Sequence, residues 1–405
     1  MKGIEYLLNS EEVEDIYIKK NKNEYIINNN RVFPSKEKRK KKKLYFDGYT
    51  FLAIIKKMKK IISIEKTPEE QKEKVIVFKL DNTIFKDKAA YILLESLVYL
   101  MCRDYNFNIK MSFEKLEVQN IYQSEMKNIF EIYKNKYIDK KRYLEEFEKF
   151  FISAKRFRKI IKYEEFIENK EYLSIIATEL NVFFKIYFLE DTQNDLFVET
   201  LSELIGNACE HGKSDCLIDI NAIPNLKRNY LESAKVGFDI VIYNFSDNLL
   251  GTAIKEILTS PEIKLPFKEL LEKAYLVHSK FFNKYYTIDD FYNIATFQWR
   301  VSSRKENNGF AGGTGLTTLI KALMEFSVKD KCYVYSGKNV VGFNKKYLKL
   351  SSTNKAAETY NFVGFNEKAD FINYPPDRSC FLTSPFFLNG TLYNLVFIMK
   401  TSEVV

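Results

Sequence analysis

One stretch constrains this chain more than any other: FVETLSELIGNACEHG, residues 197–212. Glu199, Glu203, Asn207 and His211 recur every four residues, so on a helix they stack along one face. Leu201, Leu204, Ile205 and Ala208 fall on the opposite face and suit a core. Burying a row of carboxylate, carboxamide and imidazole without a ligand is costly. Two readings stay open: a solvent-facing stripe of ordinary charges, or one wall of a binding pocket.

Around this helix the hydrophobic pattern predicts strands over Val182–Leu189, Cys216–Ala222, Val236–Tyr243, Lys331–Ser336 and Thr391–Lys400, and a helix over Thr314–Phe326. Helices beside a largely antiparallel sheet make an α+β sandwich. Upstream, Tyr49–Ile62 and Ala89–Cys102 read as helices, and Val75–Leu80 and Phe107–Phe113 as strands of a small α/β unit. Residues 114–182 carry charged helical patterns, Lys140–Arg158 among them, and read as a helical connector packing on both halves. The expected organisation is a basic polar segment over 1–43, ending in Lys36–Lys43, an α/β domain with its connector over 44–165, and the sandwich over 166–405.

The residue inventory excludes several classes. The five cysteines form no C-x-x-C pair and the only histidines are His211 and His278, which argues against a disulfide framework or structural zinc. The charged N-terminus is no signal peptide, and no apolar run approaches the roughly 20 residues that span a bilayer. A cytoplasmic protein with no membrane partner is expected. The net charge of +9, from 63 basic and 54 acidic residues, is a mild excess and supports nucleic-acid binding only weakly.

Three more segments carry chemistry. In VGFDIVIYNFSDNLLG, residues 236–251, an apolar strand runs into Asp247, with Gly251 four residues on. A carboxylate there can accept from an amino group; a plain Ser-Asp-Asn turn is the alternative. In NNGFAGGTGLTTLIKAL, residues 307–323, Gly309, Gly312, Gly313 and Gly315 precede an amphipathic helix, where backbone N–H groups can meet an anion. No Gly-Lys-Ser/Thr follows, so this is no Walker A loop. Asn389–Gly390–Thr391 leads into the last strand, and a hairpin turn is its simplest reading.

The identity and order of these four segments resemble the GHKL (Bergerat-fold) ATPase superfamily, nearest the anti-sigma-factor kinase branch. The helix motif Glu-x-x-x-Asn-x-x-x-His-Gly fits Glu203, Asn207, His211 and Gly212. Asp-x-Gly-x-Gly fits Asp247 and Gly251, with Leu249 where the first glycine belongs. Gly-x-Gly-Leu fits Gly313, Thr314, Gly315 and Leu316, and the terminal Gly-Thr fits Gly390 and Thr391. The resemblance spans residues 180–400 and implies a mixed, mainly antiparallel sheet with helices on one face.

It further implies ATP and Mg²⁺ as cofactors. Asn207 would ligate the metal and Glu203 would be the catalytic base. Asp247 would read adenine, Gly313 and Gly315 would line the triphosphate, Thr391 would support the base, and His211 would orient its helix. Residues 252–308 stand where the family has its ATP lid; Arg300 and Arg304 there either reach the γ-phosphate or lie on the surface. Leu249 should stiffen the lid hinge and slow turnover. Neither histidine suits a phosphoacceptor on an upstream helix. What remains is an ATP hydrolase working as a conformational switch in bacterial signalling, stress response or anti-phage defence, a serine/threonine protein kinase acting on a partner, or, third, a nucleic-acid-associated ATPase. Expected partners are a protein meeting the N-terminal domain or the lid, and a second copy in a homodimer.

Overall fold

The computed structural model describes residues 18–21, 23–28, 44–46, 48–80, 83–118, 129–187, 189–224, 235–263, 265, 267–298, 315–329, 331–355 and 358–401. The chain divides into two compact units that meet in sequence at 150/151. Lys36–Lys43 lie outside the described residues.

The N-terminal unit orders its elements as β1 (Ile18–Asn21), β2 (Glu24–Asn28), β3 (Leu44–Phe46), α1 (Gly48–Ile64), α2 (Pro68–Lys72), β4 (Val75–Lys79), β5 (Thr83–Phe85), α3 (Lys88–Asp104), β6 (Asn108–Ser112), β7 (Leu116–Val118) and α4 (Lys140–Glu148). Strands β2, β4 and β6 pair in parallel, with β1 antiparallel at the edge. A second parallel sheet runs β3-β5-β7. The continuous apolar run of β4 suits a strand covered on both faces. Asp87 starts α3 by accepting the Ala90 N–H at 2.8 Å.

The C-terminal unit opens with a hairpin, β8 (Phe151–Ser153) and β9 (Arg156–Ile161), followed by helices α5 (Tyr163–Glu168), α6 (Tyr172–Lys185) and α7 (Asp191–Gly212). Strands β10 (Cys216–Ile223) and β11 (Lys235–Asn244) precede α8 (Thr252–Thr259), α9 (Lys268–His278), α10 (Ile288–Ala295) and α11 (Gly315–Phe326). Then come β12 (Tyr333–Gly342), the pair β13 (Leu350–Lys355) and β14 (Glu358–Val363), and β15 (Phe381–Lys400). The main sheet has the order β12-β15-β11-β10-β9-β8 and is antiparallel at every pairing, where a mixed sheet was expected. With its helices it makes an α+β fold.

Alternation along the strands sends one set of side chains to the helices. Phe238 and Phe397 meet Phe184 and Phe197 with ring centroids 5.1 and 5.2 Å apart. The other face carries a buried polar row in which Arg156 and Arg158 bind Asp219 at 2.6 and 2.8 Å.

Three expectations are corrected. Val182–Leu189 is no strand: α6 runs through Lys185, because Phe183, Phe184 and Tyr187 are buried while Val182 and Ile186 are exposed, a helical spacing. Lys140–Arg158 is not one helix in a connector; α4 stops at Glu148 and the hairpin from Phe151 joins the large sheet, so the second unit starts at 151 rather than 166. Asn389–Gly390 is no hairpin turn but an irregularity inside the 20-residue strand β15, where the pairing with β12 steps from Gly337↔Leu388 to Ser336↔Thr391.

Candidate functional site

The C-terminal end of α7 leaves carbonyls that its own backbone cannot satisfy. The segment after β11 supplies the donors. Asn244 Nδ2 donates to the Ala208 carbonyl at 3.2 Å, Asn248 Nδ2 to that of His211 at 3.1 Å, and the Ser246 hydroxyl to that of Gly212 at 2.5 Å. Gly212 is required by this approach, since a Cβ there would lie 2.4 Å from Asn244 Nδ2.

The same asparagine reaches β15. The Thr391 N–H donates to Asn244 Oδ1 at 2.5 Å, and the Thr391 hydroxyl to Ser336 on β12 at 3.2 Å. Ser336 in turn donates to the Gly390 carbonyl and accepts the Leu250 N–H, at 2.8 and 2.9 Å. Three of the four segments singled out in the sequence therefore meet at one corner: the end of α7, the residues after β11, and Asn389–Thr391.

Asp247 stands exposed at this corner and accepts a bond from Asn389 Nδ2 at 3.3 Å. Beneath it the Tyr243 hydroxyl donates to the Asn389 carbonyl at 3.2 Å. Burial pushes that phenol's pKa upward, which keeps it a donor. Gly251 caps α8 against Tyr292, whose Cβ would lie 2.6 Å from a side chain at 251. Leu249 packs on Gly337, with its Cδ1 3.1 Å from where a Cβ would stand, so a side chain fills the place of the expected glycine.

Along α7, Asn207 and Glu203 are half-buried and His211 is exposed. At 1.5 Å per residue Asn207 lies about 6 Å and Glu203 about 12 Å back from the His211 end. Glu203 also lines an open groove of about 550 Å³ between α6 and α7, with Asp195, Glu199, Ser202 and Asn181. From the first turn of α11, Thr318 donates to Glu199 at 3.4 Å, so the helix that begins at Gly315 lies against this part of α7. Leu316 is in the same turn. Gly313 and Thr314 lie outside the described residues, as do Arg300 and Arg304.

The stretch expected to be a lid is different in kind up to residue 298. Its helices α8, α9 and α10 bury Ile254, Leu271, Phe291 and Ile294 in the main core. Gln298 is buried and ties Ile294 to Val363 through its side-chain amide. His278, also buried, bonds Tyr286 at 2.6 Å and the Phe371 carbonyl at 2.7 Å, and desolvation holds its pKa down at about 4. Both are structural.

Sequence reasoning missed Ser336 altogether and passed over Asn244 as a strand end. A buried asparagine closing an apolar strand was the available signal; Ser336 left none. Among the described residues no cluster of three His, Cys, Asp or Glu side chains can hold a metal, and no helix is long and apolar enough to cross a membrane. Comparison with protein-family models, with curated proteins and with solved structures found no match for this chain.

Proposed function

We propose that the C-terminal unit binds Mg·ATP and hydrolyses it. The observation that carries this reading is the corner itself. It puts an exposed carboxylate, Asp247, beside the end of a helix whose next turns bear Asn207 and Glu203. The donor set fits the nucleotide. A magnesium ion that keeps most of its waters needs one or two oxygen ligands from protein, which the Asn207 carboxamide supplies without an acidic cluster. An exposed carboxylate suits an exocyclic amino group as donor.

In this reading the bound nucleotide supplies an activated phosphoryl group. Asn207 holds the metal, Glu203 one turn on takes a proton from the attacking water, and Asp247 accepts from the base. Thr391 is buried and its polar groups are engaged by Asn244 and Ser336, so it acts by fixing the corner. His211 contributes its carbonyl to the same corner.

Incubation of the full chain with γ-labelled ATP and Mg²⁺ tests turnover. Free phosphate is expected, and Glu203→Ala should abolish its release while still retaining nucleotide. Label transferred to an added protein would replace hydrolysis by kinase activity at the same site. No release and no transfer would end the reading as an enzyme.

A further inference from the structure

We infer that Asn389 selects the base, favouring a 6-aminopurine over guanine; this rests on the Mg·ATP reading of the site. Asp247 taken alone is ambiguous. A free carboxylate accepts one hydrogen bond from the amino group of adenine. It also matches the adjacent N1–H and N2–H donors of guanine, which engage both oxygens in a paired contact. An unmodified aspartate at this corner would thus admit either purine.

Asn389 removes the second option. Its Nδ2 donates to Asp247 Oδ1 at 3.3 Å and draws that oxygen towards β15. One oxygen then remains for the base, enough for one amino donor and short of what guanine's two donors require. The asparagine is held to do this. Its carbonyl accepts from Tyr243 at 3.2 Å, and the next residue, Gly390, has φ of +86° with its carbonyl held by Ser336 at 2.8 Å. The backbone on both sides of the Asn389 side chain is therefore anchored, while the side chain is exposed and crosses to Asp247. Occupying an acceptor that the wrong ligand needs is selection by exclusion.

The test is titration of the full chain with Mg·ATP, Mg·GTP and Mg·ITP, for wild type and Asn389→Ala. Because Asn389 is exposed, the variant should fold as the wild type does, which its melting temperature checks. The wild type should bind ATP about tenfold or more tightly than GTP, and the variant should narrow that ratio at least threefold through tighter GTP binding, with ATP little changed. Hypoxanthine has N1–H but no 2-amino group, so ITP should gain less than GTP. An unchanged ratio, or equal weakening of all three nucleotides, overturns the role of Asn389 and leaves the ATP reading standing. If the wild type binds none of the three, the reading beneath it falls as well.

Discussion

Gly390→Ala is the sharpest probe of the corner. Gly390 has φ of +86°, and a Cβ there would lie 2.2 Å from the Asn244 carbonyl oxygen, 2.5 Å from Asn244 Oδ1 and 3.1 Å from the Ser246 N–H nitrogen. None of these atoms is the far end of a flexible side chain, and all belong to the segment that caps α7. A left-handed non-glycine residue costs about 1–2 kcal/mol. Overpacking a closed site adds about 1–3 kcal/mol. The expected loss is therefore about 3 kcal/mol, or roughly 6–12 °C in melting temperature for a unit of this size. Thermal melts followed by near-ultraviolet circular dichroism read it directly. Gly206→Ala is the control: its Cβ would meet only the movable Leu173 Cδ1 at 3.2 Å, and alanine improves the helix, so its melting temperature should stay close to that of the wild type. If Gly390→Ala melts within about 2 °C of wild type, the corner is not closed as described.

Two other outcomes follow from buried charge. His278 has a folded pKa of about 4 against 6.5 in the unfolded chain, so the unfolded state takes up its proton first as the pH falls. The stabilisation is complete above pH 6.5 and declines towards pH 4, by up to about 3 kcal/mol. Urea midpoints over that range should fall more steeply for wild type than for His278→Gln; parallel slopes would refute the assignment. Asp219→Ala strips the carboxylate that binds both Arg156 and Arg158 on the buried face of the sheet. It should cost about 3–5 kcal/mol by denaturant titration, and a loss below about 1 kcal/mol would show that these cations do not depend on it.

The fold was legible where one periodicity dominated. Helix α7 could be read from its four-residue polar spacing, and β10 and β11 from their apolar runs. Reading failed where a short apolar run satisfies either period. In VFFKIYFL the choice between strand and helix was made by which side chains the sheet covers, and the eight residues do not record that. The hairpin β8–β9 was lost because charged residues such as Arg156 and Arg158 resemble a solvated helix face; their partner, Asp219, lies some sixty residues away. At the site, Asp247, Gly251 and Thr391 were found as members of ordered motifs. Asn244 and Ser336, which join those motifs, act through long-range side-chain bonds that leave no local pattern. Leu249 looked like a defect until Gly337 appeared beneath it.

The central claim is nucleotide binding at the Asn207–Asp247 corner, and calorimetric titration of the full chain with ATP, with and without Mg²⁺, tests it most directly. The account predicts saturable binding that strengthens with Mg²⁺, loss of the Mg²⁺ dependence in Asn207→Ala, and loss of ATP affinity in Asp247→Ala with the fold intact. Absence of binding by ATP and by ADP at millimolar concentration with Mg²⁺ present would contradict it.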